Sequence, residues 1–298
     1  MNEYSAYFLA LTSATLFSGA SVIFAQYSVS HSSLWMNYIK NLVAGACFLV
    51  VAALSILLWG EDIRSVSMHS VLFLLLSGVL GLAIGDFFLF KAYARLGSAR
   101  TIMIFSFSPL FLSIEGFFFF GQSLSAKQGI ALFFMMACAW TLSLERFRSH
   151  GTWEWKGILF AILGVALDNA GVVLSRFAFD QSPALSPFSA NAIRCVGAAL
   201  PLYLGLRWAG TRGLGQLLEL PRRQLGLVVF ASFMGTFLSL SCWLTALKIG
   251  HIGSLAGVGS FNPVAASLWE WLLLRKRPTP LLILALLLFL IGFFTLIS

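Results

Sequence analysis

Apolar stretches long enough to cross a bilayer, separated by short polar breaks, run the whole length of this chain. They fall at 5–27, 34–59, 69–93, 98–120, 126–145, 155–178, 188–209, 224–247, 252–274 and 280–297. A membrane-spanning helix needs about 20 mostly apolar residues, so each stretch predicts one span and the set predicts ten. The first stretch does not read as a signal peptide. Met1-Asn2-Glu3-Tyr4 ahead of it carries no basic residue, and the stretch exceeds the apolar segment of a leader. The polar breaks include a turn at Gly60–Ser67, a junction at Ser149–Trp155, and a longer loop from about Ala209 to Gln224 containing Gly210, Gly213, Gly215 and Pro221.

The pattern occurs twice. Asn37-Tyr38-Ile39-Lys40 returns as Asn191-Ala192-Ile193-Arg194, and Ser106-Phe107-Ser108-Pro109 returns as Ser260-Phe261-Asn262-Pro263, each 154 residues on. Two distant signatures with one offset predict a duplicated unit, 1–148 and 149–298, each an all-α bundle of five spans. An odd number of spans per unit turns the second unit upside down relative to the first. Many secondary transporters use that arrangement to build a midplane site between their halves. The last helix of each unit, 126–145 and 280–297, is rich in Leu, Phe, Ala and Gly. Helices of that kind scaffold or dimerise, which admits a homodimer.

Composition agrees with the pattern. Of 298 residues, 59% are hydrophobic and only 10% charged, with a mean hydropathy of +0.91, whereas soluble domains carry roughly 25% charged residues. The net charge of +8 does not point to nucleic acid, because the basic residues sit mainly in short loops: Arg146 and Arg148, Arg222 and Arg223, Arg275-Lys276-Arg277. Loop Lys and Arg set membrane orientation, and their distribution here puts both termini outside the cytoplasm. Cys47, Cys138, Cys195 and Cys242 all fall inside spans without metal-type spacing and read as buried thiols. No phosphate-cradling glycine loop, His-Glu-x-x-His helix, Cys-x-x-Cys pair or nucleophile elbow is present, and the four histidines are scattered near loops. The expectation is a protein that is not an enzyme and holds no cofactor or metal.

Ten short spans in two halves with these signatures resemble the drug/metabolite transporter superfamily, and its ten-helix EamA-type branch in particular. There the second span of each half often carries an Arg, matched by Lys40 and Arg194. The fourth often carries a Pro after small or polar residues, matched by Ser108-Pro109 and Asn262-Pro263. The third ends in a turn matched by Ala246-Leu247-Lys248-Ile249-Gly250 and less well by Tyr93-Ala94-Arg95-Leu96-Gly97. The acidic residue that relatives place just after the fourth span is missing, since those positions read Gly121-Gln122 and Arg275-Lys276. The basic termini of many relatives are missing too, so the family's termini-inside orientation conflicts with the loop charges here. The resemblance implies alternating-access transport, with efflux as its direction.

Charges inside spans are costly and point to function. Lys40 and Arg194 each follow an Asn by three residues, Asn37 and Asn191, so each pair shares a helical face and offers donors to a carboxylate or phosphate. The alternative is that both cations snorkel to an interface. Asp86 and Lys91 are five apart in one span and off one face, which predicts partners on other helices; Asp86 is either a proton carrier or half of a static ion pair. Asp168 lies mid-span beside Asn169 and aligns with Ser18 in the first unit, so the fold does not require its charge. It is the leading coupling candidate, with pairing to Arg194 or Arg176 as the structural alternative. Glu115 and Glu270 are binding-site acids or neutralise Lys40 and Arg194. Pro109 and Pro263 serve as hinges or as packing. Asn262 and Trp243 are expected at the substrate, although Trp243 and Tyr93 also suit the interfacial aromatic belt.

These readings predict a secondary active exporter of small polar metabolites, amino acids or organic acids first, possessing a proton-coupled step and residing in a bacterial inner membrane. Its partners are a small-molecule substrate and the lipid bilayer. Two alternatives stand beside it: a flippase of lipid-linked substrates, and a non-transporting membrane scaffold in which the buried charges pair off.

Overall fold

The computed structural model describes residues 3–62, 65–148, 154–211, 213–275 and 279–298, the side chains of 59, 99 and 142–148 excepted. Most of the expected junction, Lys276 and Arg277, and the side chains of Arg146 and Arg148 lie outside that description. The described residues are helical, with no strand among them. The first half comprises α1 (Glu3–Tyr27), α2 (Ser33–Trp59), α3 (Met68–Ser77), a first π segment (Gly78–Gly85), α4 (Asp86–Phe105), α5 (Ser108–Phe120) and α6 (Ala126–Arg148). The second begins with α7 (Trp155–Gln181), α8 (Pro187–Trp208), α9 (Gly213–Leu218) and α10 (Arg222–Ser232). It continues through a second π segment (Phe233–Leu238), α11 (Ser239–Ile249), α12 (Ile252–Gly259), α13 (Asn262–Leu274) and α14 (Pro280–Ile297).

Apart from α9, and with α4 standing where the second half has α11 and α12, the two orders coincide. The stretch containing α9 reads as loop in the sequence. It is helical because Trp35 donates its indole N–H to the Gly213 carbonyl at 2.9 Å and Leu217 is buried beneath it. Helix starts follow side-chain chemistry: Ser32, Ser67 and Ser186 each accept the N–H three residues on, capping α2, α3 and α8. Gly97, at φ 79°, breaks α4 where the third apolar stretch meets the fourth.

The prolines stand at helix starts. A two-residue break, Ser106–Phe107, separates α4 from α5, and Ser260–Phe261 separates α12 from α13 at the same offset. Pro109 and Pro263 therefore stand in the first turn of a new helix, where a missing N–H costs nothing. They do not kink a continuous one.

Among the described residues, seven helical stretches are long and apolar enough to cross a membrane: Glu3–Tyr27, Ser33–Leu58, Met68–Ser98, Arg100–Phe120, Trp155–Gln181, Arg222–Ile249 and Pro280–Ile297. The π segments lie inside two of them. α6, α8 and the α12–α13 pair are further helical stretches of the two halves.

Packing exchanges the halves. α1 packs on the second π segment, α11, α12 and α13, while α7 packs on the first π segment, α4 and α5. α2 pairs with α8 and α6 with α14. Each first helix thus seats against the third and fourth helical stretches of the opposite half. The closest approaches are glycines. A β-carbon on Gly78 would collide with the Arg194 carbonyl of α8, and one on Gly235 would collide with Ala20 of α1. All four cysteines are free thiols.

Candidate functional site

The exchanged packing leaves a cavity of about 150 Å³ between the halves, lined from α1, α2, the first π segment, α4, α5, α7, α8, the second π segment, α11, α12 and α13. Much of its wall is aromatic or aliphatic. Four side chains of the Lys, Arg and Asp type open onto it: Lys40, Asp86, Asp168 and Arg194. They arrive from α2, α4, α7 and α8, two helices of each half.

Lys40 and Asp86 form an ion pair, both largely shielded from solvent. Arg194 is 2% exposed and held from two sides. Its Nε donates to Ser77 Oγ at 2.9 Å and its Nη1 to Asn191 Oδ1 at 3.2 Å. Ser77 in turn donates to the Gly171 carbonyl at 2.7 Å and lies 2.9 Å from Ser175 Oγ, so the guanidinium is fixed through a chain of hydroxyls on α3 and α7. The remaining nitrogen, Nη2, borders a gap floored by bare backbone. A β-carbon on Gly81 would lie 3.6 Å from Nη2 and 3.8 Å from Asp168 Oδ1. Asp168 itself has no hydrogen-bond or ion-pair partner among the described residues. The cavity thus holds a closed ion pair, a braced cation and a carboxylate left open.

Around these charges the polar groups are mostly committed. Ser18 Oγ donates to the Asn262 carbonyl at 3.0 Å and lies 3.2 Å from its Oδ1, tying α1 to the start of α13. Ser108 donates to Asn169 Oδ1 at 2.6 Å, which leaves Asn169 Nδ2 buried without a partner. Tyr93 is buried and donates to Ser21 Oγ at 2.7 Å, so it belongs to the cavity wall and not to an interfacial belt. Trp243 lines the same space.

Lys40, Arg194, Asn262, Trp243, Asp86, Asp168 and Pro109 are therefore gathered on one cavity. Asn37, Asn191, Glu115, Glu270 and Pro263 are not among its lining residues. Asn37 points its amide into backbone carbonyls of the first π segment, and Asn191 into the Leu240 carbonyl. Glu270 is buried and accepts from Ser98 Oγ at 3.2 Å. Glu115 keeps Oε2 buried without a partner. Lys91 of α4 lies over the rings of Phe87 and Phe160, and Arg176 pairs with Asp180. Ser77 is the residue that sequence reasoning missed. A serine in an apolar run carries no signal until the cation it meets from another helix is known.

Outside the spans, Glu154 caps α7. Its carboxylate accepts the Gly157 N–H and pairs with Arg95 at the end of the third stretch. The Gly157 N–H first, and then the Arg95 guanidinium, hold its pKa below the usual carboxylate range.

Comparison with known proteins agrees with the architecture. A solved structure described only as "Crystal structure of protein" aligns with a TM-score of 0.72, covering 97% of this chain and 95% of that chain at 18% identity. Such a likeness speaks to the fold alone. No curated protein matches the chain. Residues 4–144 and 155–298 each match the EamA-like transporter family, one match per half. The chain is a multi-pass membrane protein that belongs to the EamA-like transporter family.

Proposed function

We propose that the protein is a secondary active exporter of small polar metabolites, built as ten spans in two inverted five-helix repeats and working by alternating access. The observation that carries this reading is the open Asp168 carboxylate beside a braced Arg194 in a cavity walled by both halves. A carboxylate without a hydrogen-bond partner within a bilayer is costly, so a partner that arrives and leaves explains its presence better than packing does. Lys40 with Asp86, and Arg194 with Asp168, balance to zero if all are ionised. A substrate carrying both an acid and an amine fits there without adding net buried charge, which favours amino acids among the polar metabolites. Asp168 carries the proton in this scheme, with Asp86 able to release Lys40. Asn262 and Trp243 contact the substrate. The exchanged packing supports inverted repeats, because each first helix seats against the third and fourth helical stretches of the other half. A bacterial inner membrane is the proposed location.

A non-transporting scaffold calls for buried charges that pair off, and Asp168 argues against it. Uptake of a labelled panel of amino acids and organic acids into proteoliposomes tests the proposal. Uptake of at least one member, lost in Arg194→Ala, is the expected result. No uptake of any member by folded protein returns the weight to the scaffold or flippase readings.

A further inference from the structure

Both halves interrupt their third helical stretch with a π segment, at Gly78–Gly85 and at Phe233–Leu238. The two sit at nearly the repeat offset, and each carries a glycine, Gly81 and Gly235, 154 residues apart. Gly81 lies against Gly171 of α7 and Gly235 against Ala20 of α1, so each π segment bears on the first helix of the opposite half. Both also line the cavity, through Leu82 and through Gly235 and Thr236. π turns shift the backbone register by one residue, and short π insertions in otherwise α-helical elements mark sites of movement.

The second helix of each half braces the third helical stretch at or just beyond this feature, but unequally. Asn37 Nδ2 donates to the Leu82 and Ala83 carbonyls at 2.9 and 2.8 Å, and Asn41 Nδ2 adds a bond to Leu82 at 3.2 Å. In the second half Asn191 reaches only the Leu240 carbonyl at 3.1 Å, two residues beyond the end of the π segment. The position equivalent to Asn41 is Cys195, which offers no amide.

We infer that Asn37 is a positioning residue acting on the first π segment while Asn191 braces only the helix that follows the second, and that this unequal bracing makes the second π segment the looser hinge of the pair. Substrate access then changes first by movement at 233–238, where α1 leans, while 78–85 holds Lys40–Asp86 and Arg194 in register. This rests on the transporter reading for its meaning, but the test reads backbone opening and needs no substrate.

The test is hydrogen exchange by mass spectrometry on the full chain in lipid nanodiscs, following peptides that cover 78–85 and 233–238. The wild type is expected to exchange about five- to tenfold faster at 233–238, the ratio that one or two net hydrogen bonds support. Asn37→Leu raises exchange at 78–85 by a similar factor and leaves α6 and α14 unchanged. Cys195→Asn supplies at the second segment what Asn41 supplies at the first and slows exchange at 233–238. Equal exchange of the two segments in the wild type overturns the inference. So does Asn37→Leu that leaves 78–85 unchanged, as a substrate-contact role would require, or that raises exchange in every helix alike.

Discussion

Arg275 holds φ 54° at the end of α13, in the left-handed region that an L residue enters at a cost of roughly 1–2 kcal/mol. Its counterpart 154 residues earlier is Gly121, at φ 62°, which bears no such cost. Arg275→Gly is therefore expected to raise the melting temperature in detergent, with a gain of about 0.5–1 kcal/mol after the added freedom of the unfolded chain is subtracted. At Arg194 the geometry matters more than the charge. Arg194→Lys keeps the cation but cannot bond Ser77 and Asn191 together, so uptake should fall at least about tenfold, consistent with losing roughly 1.5–3 kcal/mol of charged hydrogen bonding. Uptake equal to wild type would mean that charge alone suffices. Single residues were legible to unequal degrees. Lys40, Asp86, Asp168 and Arg194 stand out in the sequence because charge in a span is rare. Their partners do not, since Lys40 meets Asp86 and Arg194 meets Ser77 across helices. Asn37 shares a face with Lys40 by spacing, yet the packed helices send its amide to a neighbouring backbone.

Helices here meet at glycines, and the glycines differ in what they can accept. Gly78→Ala and Gly235→Ala push a methyl into the backbone or side chain of a helix from the other half, for an expected cost of about 1–3 kcal/mol or loss of folded protein. Gly226 of α10 has nothing within 4 Å of its position, so Gly226→Ala should stabilise by about 0.5–1 kcal/mol. Melting curves of the three variants separate the two cases. At the start of α7, Glu154 has a depressed pKa, so the stability it contributes is fully present above its unfolded value of about 4.3 and is lost as pH falls through the folded value. The melting difference between wild type and Glu154→Gln should be constant near neutrality and vanish in acid; a difference that persists there contradicts the capping account. Apolar runs and their breaks made most elements readable in advance. The π segments were not, because Gly-Val-Leu-Gly-Leu-Ala-Ile-Gly is apolar in any helical register and a one-residue shift leaves no polar trace.

Across the whole molecule, the 154-residue offset read from two short signatures reappears in the helix breaks, the left-handed caps, the π-segment glycines and the exchanged packing. The duplication was therefore legible from sequence, and the cavity it encloses was not, since no local pattern reports which helices of opposite halves meet. The central claim is that this shared cavity couples substrate movement to a proton through Asp168. Proteoliposome uptake of the best panel substrate, with and without an imposed pH gradient, measures it directly when Asp168→Asn is run beside the wild type at matched melting temperature. The account predicts gradient-driven uptake in the wild type and its loss in the variant. Gradient-driven uptake that survives in Asp168→Asn would contradict it.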